Sequence, residues 1–254
     1  VDTDVFKKVD KKSKEFREMK EMNPLLKDKF ICFWNNRNAR RKQPGTLIFW
    51  FNEFLDKVGR DKATLVMHTD MDDSVGQDLV TIINSLGCNN GEIQFSTEKI
   101  PPQQLAMMYN LADVTINIAD AEGFGLATLE SLACETPILV NMTGGLQEQV
   151  TDGDNWFGAG ITPKAKAIIG SQNVPYIYED RINKEDFLNA LTKLYKMKEK
   201  DRQALGAAGR QHVMTNYNFE EYGKKWVDLL TSVHEKYGSW ENRKNYTCWE
   251  AIKL

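Results

Sequence analysis

The sequence has 254 residues, of which 33 are lysine or arginine and 36 are aspartate or glutamate, so the formal net charge is −3. This length fits one large or two small domains, and the slightly acidic balance argues against a nucleic-acid-binding protein. No run approaches 18 apolar residues and no signal peptide opens the chain, so we expect a soluble, cytoplasmic protein. The four cysteines and three histidines lack the spacing of metal ligands, and we predict no metal site.

The first 24 residues are predicted to be a linker followed by a solvated helix. Lysine and glutamate dominate residues 7–22. The lysines could indicate an anionic partner, but Asp10, Glu15 and Glu18 alternate with them. This mixture favours a plain solvated helix over residues 7–22.

Apolar strands and amphipathic helices alternate through residues 25–236, which we predict to form one domain. Predicted strands cover residues 30–34, 64–67, 92–95, 114–118 and 138–140. Predicted helices cover residues 44–58, 77–86, 101–111 and 126–134, with a short one after Gly144-Gly145. The alternation predicts the α/β class: a doubly wound, Rossmann-like domain with a mostly parallel sheet of about six strands.

The last third of the chain is predicted to be mostly helical. Residues 162–178 show little periodicity and indicate a long loop that returns through a short edge strand near residues 174–178. Residues 184–236 predict three helices. An aromatic tail, residues 237–254, contains Tyr237, Trp240, Tyr246 and Trp249. Together with Trp226 these rings predict a self-association patch or a poorly ordered tail, because so many exposed aromatics usually need a partner surface.

A cluster of positive charge follows the first predicted strand. Arg37, Arg40, Arg41 and Lys42 fall within six residues. They lie at the carboxyl end of a strand, where doubly wound folds bind ligands. A loop of this composition is more often merely solvated, but its location favours a ligand-binding role.

A glycine turn and a helix follow the strand predicted at residues 114–118. Gly123 and Gly125 allow a tight turn, and the unpaired amides that open helix 126–134 favour an anion. Glu122 and Glu130, in an E-x7-E spacing, can line one side of such a site and accept hydrogen bonds from sugar or ribose hydroxyls. Two surface glutamates on a solvated helix are the alternative. The inner face of the helix is predicted to carry Leu126, Leu129 and Ala133.

The stretch around these two glutamates resembles the signature of a known family. Residues 122–137 are EGFGLATLESLACETP, and Gly144-Gly145 and Glu148 follow. This closely resembles the pattern E-G-F-G-L-x-x-x-E-A-x-A-x-G-x-P-V, then G-G-x-x-E, of retaining GT-B glycosyltransferases of family 4. Ser131 and Glu135 stand where that family usually has alanine and glycine.

Two further segments resemble the same family. Residues 1–6, VDTDVF, resemble the linker that enters its second domain. The resemblance therefore covers only the C-terminal half, and the N-terminal GT-B domain would be a partner missing from this chain. The loop at residues 35–43 resembles the family's G-R-x(n)-K-G segment, with Arg37 and Lys42 in the arginine and lysine positions. Asn36 and Gln43 replace its two glycines.

The resemblance implies a function for the chain. It would be the donor half of a hexosyltransferase, weak or inactive without its N-terminal domain. It would bind a UDP- or GDP-sugar and transfer the sugar to an unknown acceptor, with retained configuration and without a metal or cofactor.

The resemblance also implies a role for each matched residue. Its catalytic residues would be Glu122, Arg37 and Lys42. Of these, Arg37 and Lys42 would clamp the diphosphate, with Arg40 or Arg41 taking a share, and Glu122 would contact the transferred sugar. Among the other donor-binding positions, Glu130 would contact the ribose, and Ile100 would lie in the turn that holds the base. The remaining positions would be Gly123, Phe124, Gly125, Leu126 and Ala127.

Other functions remain open at this point. A binding module that holds a nucleotide sugar without turnover is one alternative, and another GT-B enzyme, an epimerase or a phosphorylase, is a second. No G-x-G-x-x-G follows the first strand and no P-loop is present, which argues against a dinucleotide dehydrogenase and a P-loop NTPase. No G-x-S-x-G hydrolase elbow is present either.

Overall fold

The computed structural model describes residues 1–245. Tyr246 and Trp249, which the sequence analysis placed in an aromatic tail, lie outside these residues. Within residues 1–245, no helix is both long and apolar enough to cross a membrane.

A six-stranded parallel sheet forms the centre of the domain. Its strands are β1 (Phe30–Asn35), β2 (Ala63–His68), β3 (Ile93–Ser96), β4 (Val114–Asn117), β5 (Ile138–Asn141) and β6 (Gly158–Ile161). They lie in the order β3-β2-β1-β4-β5-β6, and every neighbouring pair is parallel. The order changes direction between β1 and β4, where Cys32 pairs with Val114. The predicted doubly wound fold is therefore confirmed.

The helices lie close to the positions that the sequence predicted. They are α1 (Lys14–Met22), α2 (Pro44–Val58), α3 (Leu79–Leu86), α4 (Pro102–Leu111), α5 (Leu126–Ala133), α6 (Leu146–Val150), α7 (Lys184–Lys196), α8 (Glu199–Asn216) and α9 (Phe219–Tyr237). The prediction for residues 7–22 was too long, because α1 begins only at Lys14. The Ser13 hydroxyl accepts from the Phe16 amide there and caps the helix.

The two faces of the sheet each pack against a layer of helices, because successive strand residues point to opposite sides. From β1, Cys32 and Trp34 pack with the buried residues of α2, α3 and α7. Ile31 and Phe33 pack on the other face with α4, α5, α6 and α8. Both faces are therefore buried, as expected for a parallel sheet.

Two details of the prediction were wrong. Leu126 was expected on the inner face of α5, but it is 59% exposed, because it opens the helix at the carboxyl edge of the sheet, beyond the core. The edge strand expected near residues 174–178 does not join the main sheet. Instead β7 (Ala165–Ile168) and β8 (Tyr178–Arg181) form an antiparallel pair of their own, which we call the β7–β8 hairpin.

Small residues let α8 approach α5 closely. A Cβ added to Gly206 would overlap the backbone carbonyl of Glu135, just past the end of α5. A Cβ added to Gly223, on α9, would meet no atom of residues 1–245 within 4 Å. These two helical glycines therefore form a matched pair of buried and open positions.

We predict opposite effects of alanine at these two positions. Gly206→Ala should lower the free energy of unfolding by about 2 kcal/mol, because backbone atoms must shift to accept the methyl group. Gly223→Ala should raise it by about 0.5–1 kcal/mol, since alanine is the better helix former. Urea unfolding measures both values, and a Gly206→Ala variant as stable as the wild type would contradict the packing.

Candidate functional site

The loops that follow β1 and β4 meet at the carboxyl edge of the sheet. These strands are neighbours where the strand order changes direction, and such a point opens a crevice between the two loops. The Asp120 amide donates to the Arg41 carbonyl at 2.8 Å. The Arg41 guanidinium donates to the Ala121 carbonyl, also at 2.8 Å. The two loops therefore form one connected unit.

A lysine and a glutamate from the two loops form a buried ion pair. Lys42 Nζ donates to Glu122 Oε2, and the two side chains are only 9% and 10% exposed. Asn117, the last residue of β4, donates to the same oxygen at 3.2 Å. Arg41 Nη1 lies 4.0 Å from Glu122 Oε1. Glu122 therefore receives two hydrogen bonds and faces two cations.

Burial and neighbouring charges shift the pKa values of this ion pair in opposite directions. Burial alone would raise the pKa of Glu122, but the hydrogen bond from Lys42 and the charges of Lys42 and Arg41 lower the pKa overall. Burial lowers the pKa of Lys42, and the contact with Glu122 opposes it. A lowered carboxyl pKa keeps Glu122 ionised at neutral pH.

Two of the four loop cations have other partners. Arg37 pairs through both Nε and Nη2 with Asp73, in the loop after β2, with Nη2 to Oδ1 at 3.0 Å. Arg40 pairs with Glu179 of the β7–β8 hairpin, with Nη1 to Oε2 at 3.0 Å. Among the bonds of residues 1–245, none joins Arg37 to Lys42 or Glu122. The structure therefore brings together Lys42, Arg41 and Glu122 and leaves Arg37 to one side.

The start of α5 presents free backbone amides beside this ion pair. Gly125 opens the helix with a φ of 87° and, as a glycine, has no side chain to cap it, so the amides of Leu126 and Ala127 stay available to a ligand. Gly144 passes directly under the turn, since a Cβ there would overlap the Glu122 carbonyl. The buried Gln149 side chain donates to the Phe124 carbonyl. Gly144 and Gln149 therefore contact the carbonyls of the turn and hold it in place.

The second glutamate of the E-x7-E spacing has its own network. Tyr109 donates its hydroxyl to Glu130 Oε2 at 2.8 Å, and accepts from Asn35 Nδ2, at the end of β1, at 2.9 Å. Burial raises the pKa of Glu130, and the bond from Tyr109 opposes this rise. The network fixes Glu130 relative to β1.

The other predicted donor-binding residues lie at the same edge of the sheet. Ile100 is half-buried between β3 and α4. Gly123 and Phe124 follow Glu122, and Phe124 is 51% exposed and makes an edge contact with the ring of Tyr217. Parallel strands end on one side, so these residues and the ion pair share that side.

Sequence reasoning missed three residues of this site. Asn117 is an amide residue that ends a strand of otherwise β-branched residues, and that position was a usable signal. Tyr109 is fully buried, and only the structure shows where its hydroxyl points. Asp73 belongs to an acidic loop with no local pattern that links it to Arg37.

Comparison with known sequences gives the family. Residues 18–212 match the family described as Glycosyl transferases group 1. A D-inositol 3-phosphate glycosyltransferase of Corynebacterium jeikeium is 29% identical over 140 residues, which are 54% of this chain and 33% of that protein. Another, from Acidothermus cellulolyticus, is 45% identical over 56 residues, 22% of this chain and 12% of that protein. The chain thus spans a third or less of these relatives.

Solved structures share the fold. Anabaena HepE, in complex with UDP and glucose, aligns with a TM-score of 0.69 at 13% identity, over 91% of this chain and 55% of that one. The C-terminal domain of the group 1 glycosyl transferase LpcC from Francisella tularensis aligns with a TM-score of 0.61 at 19% identity, over 86% of this chain and 99% of that domain. The resemblance seen in the sequence is confirmed: the chain belongs to glycosyltransferase group 1 and has the fold of a GT-B C-terminal domain.

Proposed function

We propose that this chain is the donor-binding half of a retaining GT-B glycosyltransferase that uses a nucleotide-diphosphate sugar. The observation that carries the proposal is the Lys42–Glu122 contact beside the uncapped start of α5. Together they offer a cation, oriented amides and a carboxylate at one point. These groups suit the diphosphate and the sugar of such a donor.

The proposed chemistry needs charge stabilisation above all. When the sugar leaves, negative charge builds on the β-phosphate of the nucleotide diphosphate. Lys42 and Arg41 supply positive charge there, and the amides of Leu126 and Ala127 supply fixed dipoles, so little needs to move during the reaction. With these groups in place we expect no metal ion or cofactor to be needed.

Arg37 has to change partners to join this clamp. Its side chain is 64% exposed, so it has room to turn from Asp73 toward a bound diphosphate. Arginine binds phosphate through two parallel hydrogen bonds. We propose that the diphosphate of the nucleotide sugar accepts hydrogen bonds from the Arg37 guanidinium, both from N–H groups that are free and from those that now bind Asp73.

The two glutamates would recognise different sugars of the donor. Glu122, fixed by Lys42 and Asn117, would accept from hydroxyls of the transferred sugar. Glu130, oriented by Tyr109, would accept from the ribose hydroxyls. The backbone around Ile100 would hold the base. The solved HepE complex contains UDP and glucose, which supports testing uridine nucleotides first.

The proposed function also includes contact with a second protein domain through an apolar surface of this chain. Along α9, the apolar residues Phe219, Tyr222, Trp226, Leu229 and Val233 are 44–72% exposed. Their spacing places them on one side of the helix. This face and the partial coverage of longer relatives support a role beside an acceptor-binding N-terminal domain in the cytoplasm, or beside a second copy.

We predict that nucleotide binding depends on Glu130 and Arg37. In calorimetric titrations with UDP, GDP, ADP and their sugars, we expect one base to be preferred. Glu130→Ala should weaken donor binding by about 1–3 kcal/mol, because ribose hydroxyls lose their acceptor, and Arg37→Ala by about 1.5–3 kcal/mol.

Arg17→Ala is the matched control for charge, since Arg17 is an exposed cation on α1. It should bind like the wild type. Equal affinity in Glu130→Ala, or no binding of any nucleotide by the wild type at millimolar concentration, would contradict the proposal. Sugar transfer by this chain alone would exclude a binding module without turnover.

We also predict a pH dependence that Glu130 causes. Because burial raises its pKa, Glu130 takes up a proton at a higher pH than an ordinary glutamate, and a protonated carboxyl accepts less well from ribose. As the pH falls from about 7 to about 5, donor affinity of the wild type should fall more steeply than that of Glu130→Gln. Phosphate protonation affects both proteins alike, so parallel curves would overturn this role of Glu130.

A further inference from the structure

The β7–β8 hairpin places a buried carboxylate against the loop that carries Lys42. The Glu179 side chain is only 2% exposed. It holds the Arg40 guanidinium through both of its oxygens and also accepts from Arg181 Nη2 at 3.2 Å. Arg40 starts the short 3-10 turn Arg40–Lys42, so Glu179 holds this turn two residues before the proposed catalytic lysine.

The same hairpin is bonded to the other loops of the site. The Asp180 amide donates to the Asp120 carbonyl at 2.7 Å. The Asn141 side chain, at the end of β5, donates to the Asp180 carbonyl at 2.7 Å, and Thr143 donates to the Asp180 carboxylate at 2.8 Å. The three residues Glu179–Arg181 therefore contact the loops that follow β1, β4 and β5.

We propose that Glu179 is a positioning residue of the donor site: through Arg40 it fixes the turn that holds Lys42 against Glu122. Glu179 itself does not contact either member of that pair among the bonds of residues 1–245. Its effect passes through the Arg40 guanidinium and the backbone of Arg40–Lys42. The inference rests on the proposed function only where donor binding is the readout.

The physical reason lies in the burial of Glu179. An exposed ion pair contributes little, but a buried carboxylate such as Glu179, if it loses one of its two cations, Arg40 or Arg181, loses part of the charge that compensates for its burial. The Arg40–Glu179 geometry is therefore held firmly. The hydrogen bond from Arg40 lowers the pKa of Glu179, so the carboxylate stays charged at neutral pH and the turn stays in place.

Simple electrostatics and positioning predict opposite signs for one substitution. Glu179→Gln removes a negative charge near the diphosphate site, and from charge alone the variant should bind a nucleoside diphosphate more tightly. If Glu179 positions the turn, the variant should bind about tenfold more weakly, a typical coupling between linked groups. Calorimetric titration with UDP, GDP and ADP decides between the two.

Amide hydrogen exchange gives a second readout that needs no ligand. The amides of Lys42, Gln43 and Asp120 donate to the carbonyls of residues 39, 40 and 41, in the loop after β1, at 2.8–3.0 Å. Their exchange therefore reports on how well the Arg40–Lys42 turn is held. Faster exchange at these amides in Glu179→Gln is expected, and unchanged exchange would overturn the inference.

Glu92→Gln is the matched control. Glu92 is also buried, pairs with Arg60 at 3.5 Å, and lies just before β3 at the opposite edge of the sheet. This variant loses a buried carboxylate too, but it should leave both nucleotide affinity and exchange at the three amides unchanged.

The outcomes distinguish a failure of the positioning role of Glu179 from a failure of the proposed function. If the wild type binds no nucleotide, the proposed function fails, and exchange alone decides the positioning role. If the wild type binds and Glu179→Gln binds equally or more tightly, the positioning role is wrong while the proposed function stands. If Glu179→Gln does not fold, Arg40→Gln replaces it, and faster exchange at Lys42, Gln43 and Asp120 is again the expected result.

Discussion

The contact between Lys42 and Glu122 is the constraint on which the site depends. Two charges with side chains about 90% buried lose much of their hydration, and such a pair is favourable only if its geometry is held and its remaining hydrogen-bonding groups are satisfied. The parallel sheet provides that geometry, because β1 and β4 are neighbours and deliver both loops to one edge. Asn117, Arg41 and the backbone bonds between the loops complete it.

The proposed clamp is neutralised by the protein's own carboxylates in this structure. Lys42 pairs with Glu122, Arg37 with Asp73, and Arg40 with Glu179. These pairs differ in how far their cations are exposed to solvent. Arg37 is 64% exposed and can change partners at little cost, whereas Lys42 is buried and can only extend its contacts to a diphosphate. A donor would therefore meet Lys42 and Arg41 already in place, and Arg37 would turn toward it.

The sequence predicted the fold well because the signals for it are local. Buried strands, Pro44 at a helix start and the glycine turn before α5 each act within a few residues. It also selected Lys42 and Glu122, which the structure joins. It could not give the hydroxyl of Tyr109 or the carboxylate of Glu179, since their bonds cross 21 and 139 residues of sequence. Leu126 shows a different limit, because its spacing indicates a helix face but not where the core ends.

Two of the departures from the family pattern have consequences for the backbone. Gln43 and Glu135 stand where the family has glycine, and both adopt positive φ angles, 56° and 61°. For a residue other than glycine, a backbone conformation with positive φ costs roughly 1–3 kcal/mol. Gln43 offsets it with bonds to Asp120 and Thr46, both 2.6 Å long, and Glu135 with a 2.6 Å bond from Lys8. The turn that a glycine would make freely is thus kept by side chains, and the bond from Gln43 to Asp120 also ties the Arg40–Lys42 turn to the loop after β4.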